Sequence, residues 1–263
     1  MIEVLGYIGA VVIGVTLGLI GGGGSILTVP VLVYMLGIDP LLATSYSLFI
    51  VGTSSFVGAI KTARKGLVEY RTAIIFGIPA IISVYLTRAY LVPAIPAEVM
   101  KFGALVITDR MAIMLLFAAM MILAAFSMIA PSKSHSEKVE VQKFNYPMIL
   151  LEGVGVGVLT GLVGAGGGFL IIPALVILSK LPMKMAVGTS LSIIAAKSLI
   201  GFTGDLSNFI IDWNFLAIFT TLSVAGIFIG TYLSKFIPGK KLKPAFGWFV
   251  LAMGIYIMAK ELF

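Results

Sequence analysis

The sequence predicts an all-α integral membrane protein made of two inverted repeats, each a glycine-broken re-entrant helical element followed by three transmembrane helices. The 263-residue chain is 60% apolar and 11% charged, more apolar surface than one water-soluble core can hide. Several apolar runs reach the roughly 20 residues that cross a hydrocarbon layer about 30 Å thick, whereas a barrel would show alternating segments of about 10 residues. Two glycine-rich interruptions, Gly18 to Pro30 and Gly161 to Pro173, recur at a constant offset of 143 residues.

At that offset, Gly18 to Gly58 and its counterpart share 15 identities in 41 positions without a gap. Gly21/Gly164, Gly23/Gly166, Gly24/Gly167, Pro30/Pro173, Ser47/Ser190 and Gly58/Gly201 are among them, so the chain is an internal duplication. The first broken element covers about 3–37. It lacks the basic start and Ala-x-Ala-like site of a signal peptide and is expected to remain as a membrane segment. Plain spans follow at roughly 41–60, 70–92 and 109–130, then a basic polar stretch. The second broken element is expected at 147–179, with spans at 184–204, 213–234 and 243–261. The domains are therefore a first membrane repeat at 1–130, a linker at 131–146 and a second repeat at 147–263. Glu69-Tyr70 and Asp212-Trp213 pair an acid with an amphipathic aromatic and mark matching helix starts at the membrane boundary. Residues 93–110 read as a loop, and Arg88 and Lys235 read as helix-end anchors.

Charge decides between parallel and inverted halves, because Lys and Arg in short loops collect on the cytoplasmic side. If each broken element crosses once, the repeats are parallel and the two sides hold nine and eight basic residues, which is no bias. If each broken element returns to the side it left, the repeats are inverted and the split is thirteen to four. The inverted arrangement follows, with 131–146 cytoplasmic and the loop carrying Lys101 and Arg110 outside. Lys197 lies inside a span and is in neither count.

The net charge of +7 sits in those connectors and orients the protein, so nucleic-acid binding is not expected. Without cysteine there is no disulfide, thiol catalysis or iron–sulfur ligation, and His135, alone in the linker, gives a transition metal little to bind. No cofactor is expected. A membrane enzyme would need an intramembrane acid–base pair or metal cluster, and these spans are poor in His, Asp and Glu, so the protein is not read as an enzyme.

Non-helical backbone at membrane depth is tolerated only where protein or water satisfies it, so the runs Gly21-Gly-Gly-Gly-Ser25 and Gly164-Ala-Gly-Gly-Gly168 are expected to face a cavity. Glycine leaves its N–H bare, and apolar runs restarting at Ile26 and Phe169 would aim helix N-termini at that cavity, a geometry that suits a small anion. Neither run continues into Gly-Lys-Ser/Thr or completes Gly-x-Gly-x-x-Gly after a strand, so a nucleotide site is not expected. The outer pairs Gly14/Gly18 and Gly153/Gly157 have the small-x-x-x-small spacing of close helix packing. The candidate substrate-binding residues are Gly21, Gly22, Gly23, Gly24 and Ser25, with Gly164, Ala165, Gly166, Gly167 and Gly168. The hydroxyls of Ser45, Ser47, Thr189 and Ser190 join them as donors, set against back-bonding to their own helices. Lys197 completes the set, because a mid-span lysine costs a few kcal/mol unless it faces a partner or water. Its repeat mate is Ser54. Glu152 reads either as a protonatable coupling group or as an interfacial residue.

These paired, proline-terminated glycine motifs, each followed by Ala43-Thr-Ser-Tyr-Ser-Leu48 or Ala186-Val-Gly-Thr-Ser-Leu191, resemble the TauE/SafE sulfite exporter family, also called TSUP permeases. The likeness covers essentially the whole chain. The first copy departs with Tyr46 in place of Thr189 and Ser25 in place of Gly168. The resemblance implies secondary transport of a small sulfur-containing anion, such as sulfite, sulfoacetate or a related organosulfonate, across a prokaryotic plasma membrane. The expected partners are that anion, the lipid bilayer and a coupling proton or sodium ion, with efflux along the membrane potential as the uncoupled option. A glycine-lined anion channel is the alternative to alternating access.

Overall fold

A computed structural model describes residues 2–102, 105–129, 146–177, 181–234, 236 and 239–262. The expected linker lies outside the described residues apart from Tyr146, as does Lys235. Among the described residues ten α-helices carry the fold: α1 (Ile2–Ile20), α2 (Thr28–Pro30), α3 (Pro40–Ala63), α4 (Tyr70–Leu86), α5 (Asp109–Ile129), α6 (Tyr146–Val163), α7 (Gly168–Ile177), α8 (Met183–Thr203), α9 (Trp213–Leu233) and α10 (Gly239–Leu262). Among the described residues, seven helical stretches are long and apolar enough to cross a membrane.

The helix starts are chemically specified. Asp39 accepts from Leu41 N at 3.0 Å ahead of Pro40, Glu69 accepts from Thr72 N, and Asp212 accepts from Phe215 N at 3.0 Å. Each carboxylate occupies an orphan donor and sits at the positive end of its helix. Two stretches differ from the sequence expectation. Residues 93–110 contain a short antiparallel hairpin, Glu98–Phe102 with Leu105–Thr108. The first broken element does not restart as an α-helix at Ile26: a 3-10 helix runs over Gly21–Leu27, then α2, then a π-helix over Val31–Met35. Four glycines let the chain wind tightly against α1, and Pro30 removes the donor that would have continued the regular ladder.

This segment doubles back on α1. A Cβ added to Gly24 would strike Leu17 and Thr16, one on Gly9 would meet Val31, and one on Gly6 would meet Leu36. The element is thus re-entrant.

Glycine contacts also set how helices pair. α1 lies parallel to α9, with Gly14 against Ser223 and Gly226 and Gly18 against Gly230. α6 lies parallel to α4, with Gly157 against Ala80 and Ser83 and Gly161 against Thr87. These two sets are the same contacts shifted by 143 residues in opposite senses. The packing role read from the Gly-x-x-x-Gly spacing is realised in both, since backbones approach where side chains are absent. α3 runs antiparallel to its repeat mate α8, with Gly58 on Leu191 and Gly201 near Leu48. α5 and α10 are likewise antiparallel, Gly247 lying on Met128 and Ile129 and Gly254 on Met121 and Ile122.

Candidate functional site

The two breaks meet in the interior. Residues Gly21 to Ser25 and Gly164 to Gly168 are all buried. A Cβ on Gly22 would stand 2.7 Å from the Gly168 Cα, and one on Gly168 would strike the Gly22 backbone. Ser25 Cβ lies 3.4 Å from where a Gly166 Cβ would be, and Ser25 Oγ donates to Gly22 O at 2.7 Å. Positive φ at Gly164, Gly166 and Gly167 (70°, 65° and 70°) makes the second turn a conformation only glycine adopts cheaply.

The breaks differ in backbone form. The first winds as a 3-10 helix over Gly21–Leu27, whose short-range ladder takes up the amides that follow its opening residues. Around the second, Gly164 N donates to Thr160 O at 2.9 Å, and Leu170 N and Ile171 N both donate to Gly167 O at 3.0 Å. The N–H groups of Ala165, Gly166, Gly167, Gly168 and Phe169 take no backbone acceptor among the described residues. They lie at the N-terminus of the ten-residue helix α7, where the helix dipole favours negative charge.

Beside these donors sits Lys197, 0% exposed. Its Nζ lies 3.0 Å from where a Cβ on Gly167 would be and donates to Thr160 Oγ1 at 2.6 Å. No carboxylate pairs with it among the described residues. Thr160 was not singled out from sequence. Its repeat mate is Leu17, and that break in the symmetry was the available signal. Ser45 and Ser47 are buried with unpartnered hydroxyls, as are the repeat mates Ser55 and Ser198. Thr189 Oγ1 instead accepts from Glu69 N at 2.9 Å, and Ser190 back-bonds to Val187 O at 2.9 Å. Those two hydroxyls are engaged away from the glycine turns. Glu152 is half-buried, eight residues before Thr160 and so about 12 Å along α6.

Arg88 corrects the helix-end reading. The guanidinium is 0% exposed, with Nε 2.9 and 2.8 Å from the two Asp205 carboxylate oxygens and NH2 2.5 Å from Oδ2. NH1 donates to Thr44 Oγ1 at 3.0 Å and to the Gly161 carbonyl at 3.1 Å. Thr44 in turn covers Gly164. In the first half the corresponding glycine, Gly21, is covered by Val187, the repeat mate of Thr44, with an apolar side chain. Both fully buried cations thus flank the second break.

A pocket of about 340 Å³ opens at the N-terminal ends of α1, α3 and α9, walled by Tyr7, Asp39, Tyr46, Asp212 and Phe215. Tyr46 OH accepts from Asp212 N at 2.9 Å, and its neighbours in α3 are Ser45 and Ser47. Arg110 reaches Asp39 at 2.9 Å at the rim.

A multi-pass helical bundle whose interrupted helices expose backbone donors in the membrane interior defines a membrane transporter. The pattern for the sulfite exporter TauE/SafE matches residues 7–257, and the chain belongs to that family. It is 30% identical over 256 residues to a probable membrane transporter protein of Xylella fastidiosa strain Temecula1, covering 94% of this chain and 91% of the relative. It is 25% identical over 236 residues to the probable membrane transporter protein YdhB of Bacillus subtilis strain 168, covering 89% and 91%. A probable membrane transporter protein of Methanocaldococcus jannaschii is 27% identical over 204 residues, covering 74% and 69%. No solved structure gives a significant match.

Proposed function

We propose that this chain is a secondary transporter that moves a small sulfur-containing anion, such as sulfite, sulfoacetate or a related organosulfonate, across the plasma membrane of a prokaryote by alternating access. The observation that carries the reading is Lys197: a fully buried ammonium with a neutral hydroxyl for a partner, set against five consecutive backbone N–H groups without backbone acceptors. A buried cation without a counter-charge is costly, and a site of fixed donors around it is completed by an anion. In the site Ala165 to Gly168 and Lys197 are the direct donors, and Gly164, whose N–H is held by Thr160 O, turns the chain into the break. Gly21 to Ser25 close against them, the buried Ser45 and Ser47 hydroxyls are unspent donors for the anion, and Thr189 and Ser190, bonded to Glu69 N and Val187 O, would have to release those partners to take part.

The halves, 1–130 and 147–263, act as inverted repeats joined by a cytoplasmic linker at 131–146. The antiparallel course of α3 and α8 and the exchange of glycine contacts between the halves support this. Rocking one repeat against the other would open the site to each side in turn. The backbone contact of Gly22 with Gly168 favours such a carrier over a channel, since a pore needs a continuous aqueous path where these chains touch.

Purified protein in liposomes, given radiolabelled sulfite, sulfoacetate or sulfate with and without a pH gradient, tests the proposal. Saturable uptake of the sulfur anions is expected. Unit-conductance steps, or flux equal to that of empty liposomes, would refute it.

A further inference from the structure

Arg88, Lys197 and Asp205 are the charged residues that the described fold buries completely. The two cations hold consecutive residues at the end of α6: Lys197 binds the Thr160 hydroxyl and Arg88 binds the Gly161 carbonyl. The break that carries the free N–H groups begins three residues later. With Lys197 protonated and Asp205 ionised, this interior has one uncompensated positive charge, which a monoanion balances. A dianion would leave an excess negative charge in a dry site, a cost of several kcal/mol unless one acidic group takes a proton.

Resting on the anion-transport reading, we propose that Asp205 carries the coupling proton: it is protonated as the anion binds, and Arg88, released from the carboxylate, becomes the second cation on the transported oxyanion. The proton comes from water on the side that supplies the anion, adds to a carboxylate oxygen of Asp205, and leaves on the other side when the anion departs. The Nε and NH2 edge of Arg88, now spent on both carboxylate oxygens, is a planar fork that suits a sulfonate or sulfite oxygen pair equally well. NH1 stays on Thr44 and Gly161, which holds the guanidinium at the end of α6, three residues before the break.

The surroundings of Asp205 fit a single-proton exchange. Arg88 is the charged group that faces it. From α3 come the hydroxyls of Thr44, on Arg88, and of Ser45, which lies close enough to act on the carboxylate but makes no well-formed hydrogen bond. From α6 comes the Gly161 carbonyl, and in α8, which ends two residues before Asp205, Lys197 lies eight residues earlier in sequence. Ser45 adjoins Tyr46 in sequence, and Tyr46 walls the pocket at the N-terminal ends of α1, α3 and α9. The first break has no such set: Val187 replaces Thr44 and Ser54 replaces Lys197 at the matching positions. The proton and the charge are thereby assigned to one half of the duplication.

The test measures radiolabelled sulfite flux and internal pH, by entrapped pyranine, in the same proteoliposomes. Wild type should move about one proton with each anion, and an imposed inward proton gradient should accelerate uptake. For Asp205→Asn, whatever downhill flux remains should carry at least about tenfold fewer protons per anion and ignore the gradient. An Asp205→Asn protein that keeps the wild-type proton ratio overturns the proposal while leaving anion transport intact. Should that variant fail to fold, wild type decides alone, since sulfite flux without proton movement also overturns it. Wild type that moves no sulfur anion at all removes the transport reading itself.

Discussion

Replacing Lys197 by Met separates binding from folding because the two effects have opposite signs. The ammonium is 0% exposed with one hydrogen bond, to Thr160 Oγ1 at 2.6 Å. Holding a lysine at the centre of a membrane helix costs about 2.5–3.5 kcal/mol, and a hydrogen bond from a charged donor returns about 1.5–3 kcal/mol. The unbranched Met side chain fills nearly the same space, so stability should change by no more than about 2 kcal/mol, a melting-temperature shift of several degrees at about 2–4 °C per kcal/mol. Anion binding has no such compensation. Loss of a buried charge partner costs about 2–5 kcal/mol, and at about 1.4 kcal/mol per decade this weakens sulfite by roughly 30-fold to a few thousand-fold. Calorimetric titration of sulfite and thermal unfolding of the same detergent-purified protein read both quantities. A variant that binds sulfite as wild type does while melting more than about 10 °C lower would refute the reasoning, because Lys197 would then be a structural residue.

Two further substitutions probe the scaffold. Gly168→Ala places a methyl group on the Gly22 backbone, so thermal unfolding should show a loss of at least the about 1–3 kcal/mol typical of overpacking; Gly155→Ala, with nothing within 4 Å, should be neutral or slightly stabilising. Arg88→Met strands the Asp205 carboxylate in the interior and should destabilise by about 3–5 kcal/mol, whereas adding Asp205→Leu should recover most of that loss, as denaturation in mild detergent would report.

Much of the architecture was legible because its causes are local. Span positions follow from apolar run length, and the starts at Asp39, Glu69 and Asp212 follow from capping chemistry that a few residues encode. The outer glycines were readable as packing positions because spacing alone puts Gly14 with Gly18, and Gly153 with Gly157, on one helix face. The glycine runs announced a break at the membrane interior, and the duplication announced two. Their inequality was not legible. Whether four glycines wind as a 3-10 helix or open as a turn depends on what packs over them, and Val187 and Thr44 reach those places from 166 and 120 residues away in sequence. Arg88 misled for a related reason. At the end of an apolar run a basic residue is ordinarily an interfacial anchor, and only the fold brings Asp205 to it across 117 residues. Thr160 stayed hidden because its one signal in the sequence, a hydroxyl where the repeat mate is Leu17, does not name its partner Lys197. The hairpin within 93–110 was missed because its strands are short and unevenly polar.

The most direct test of the central claim is the position of the bound anion. Selenite, a heavier analogue of sulfite, can be soaked into crystals of the protein and located by its anomalous scattering. The account predicts a peak within hydrogen-bond distance of the Lys197 Nζ and the amides of Gly166 to Gly168. Full occupancy at a surface lysine, with that turn empty at saturating selenite, would contradict it.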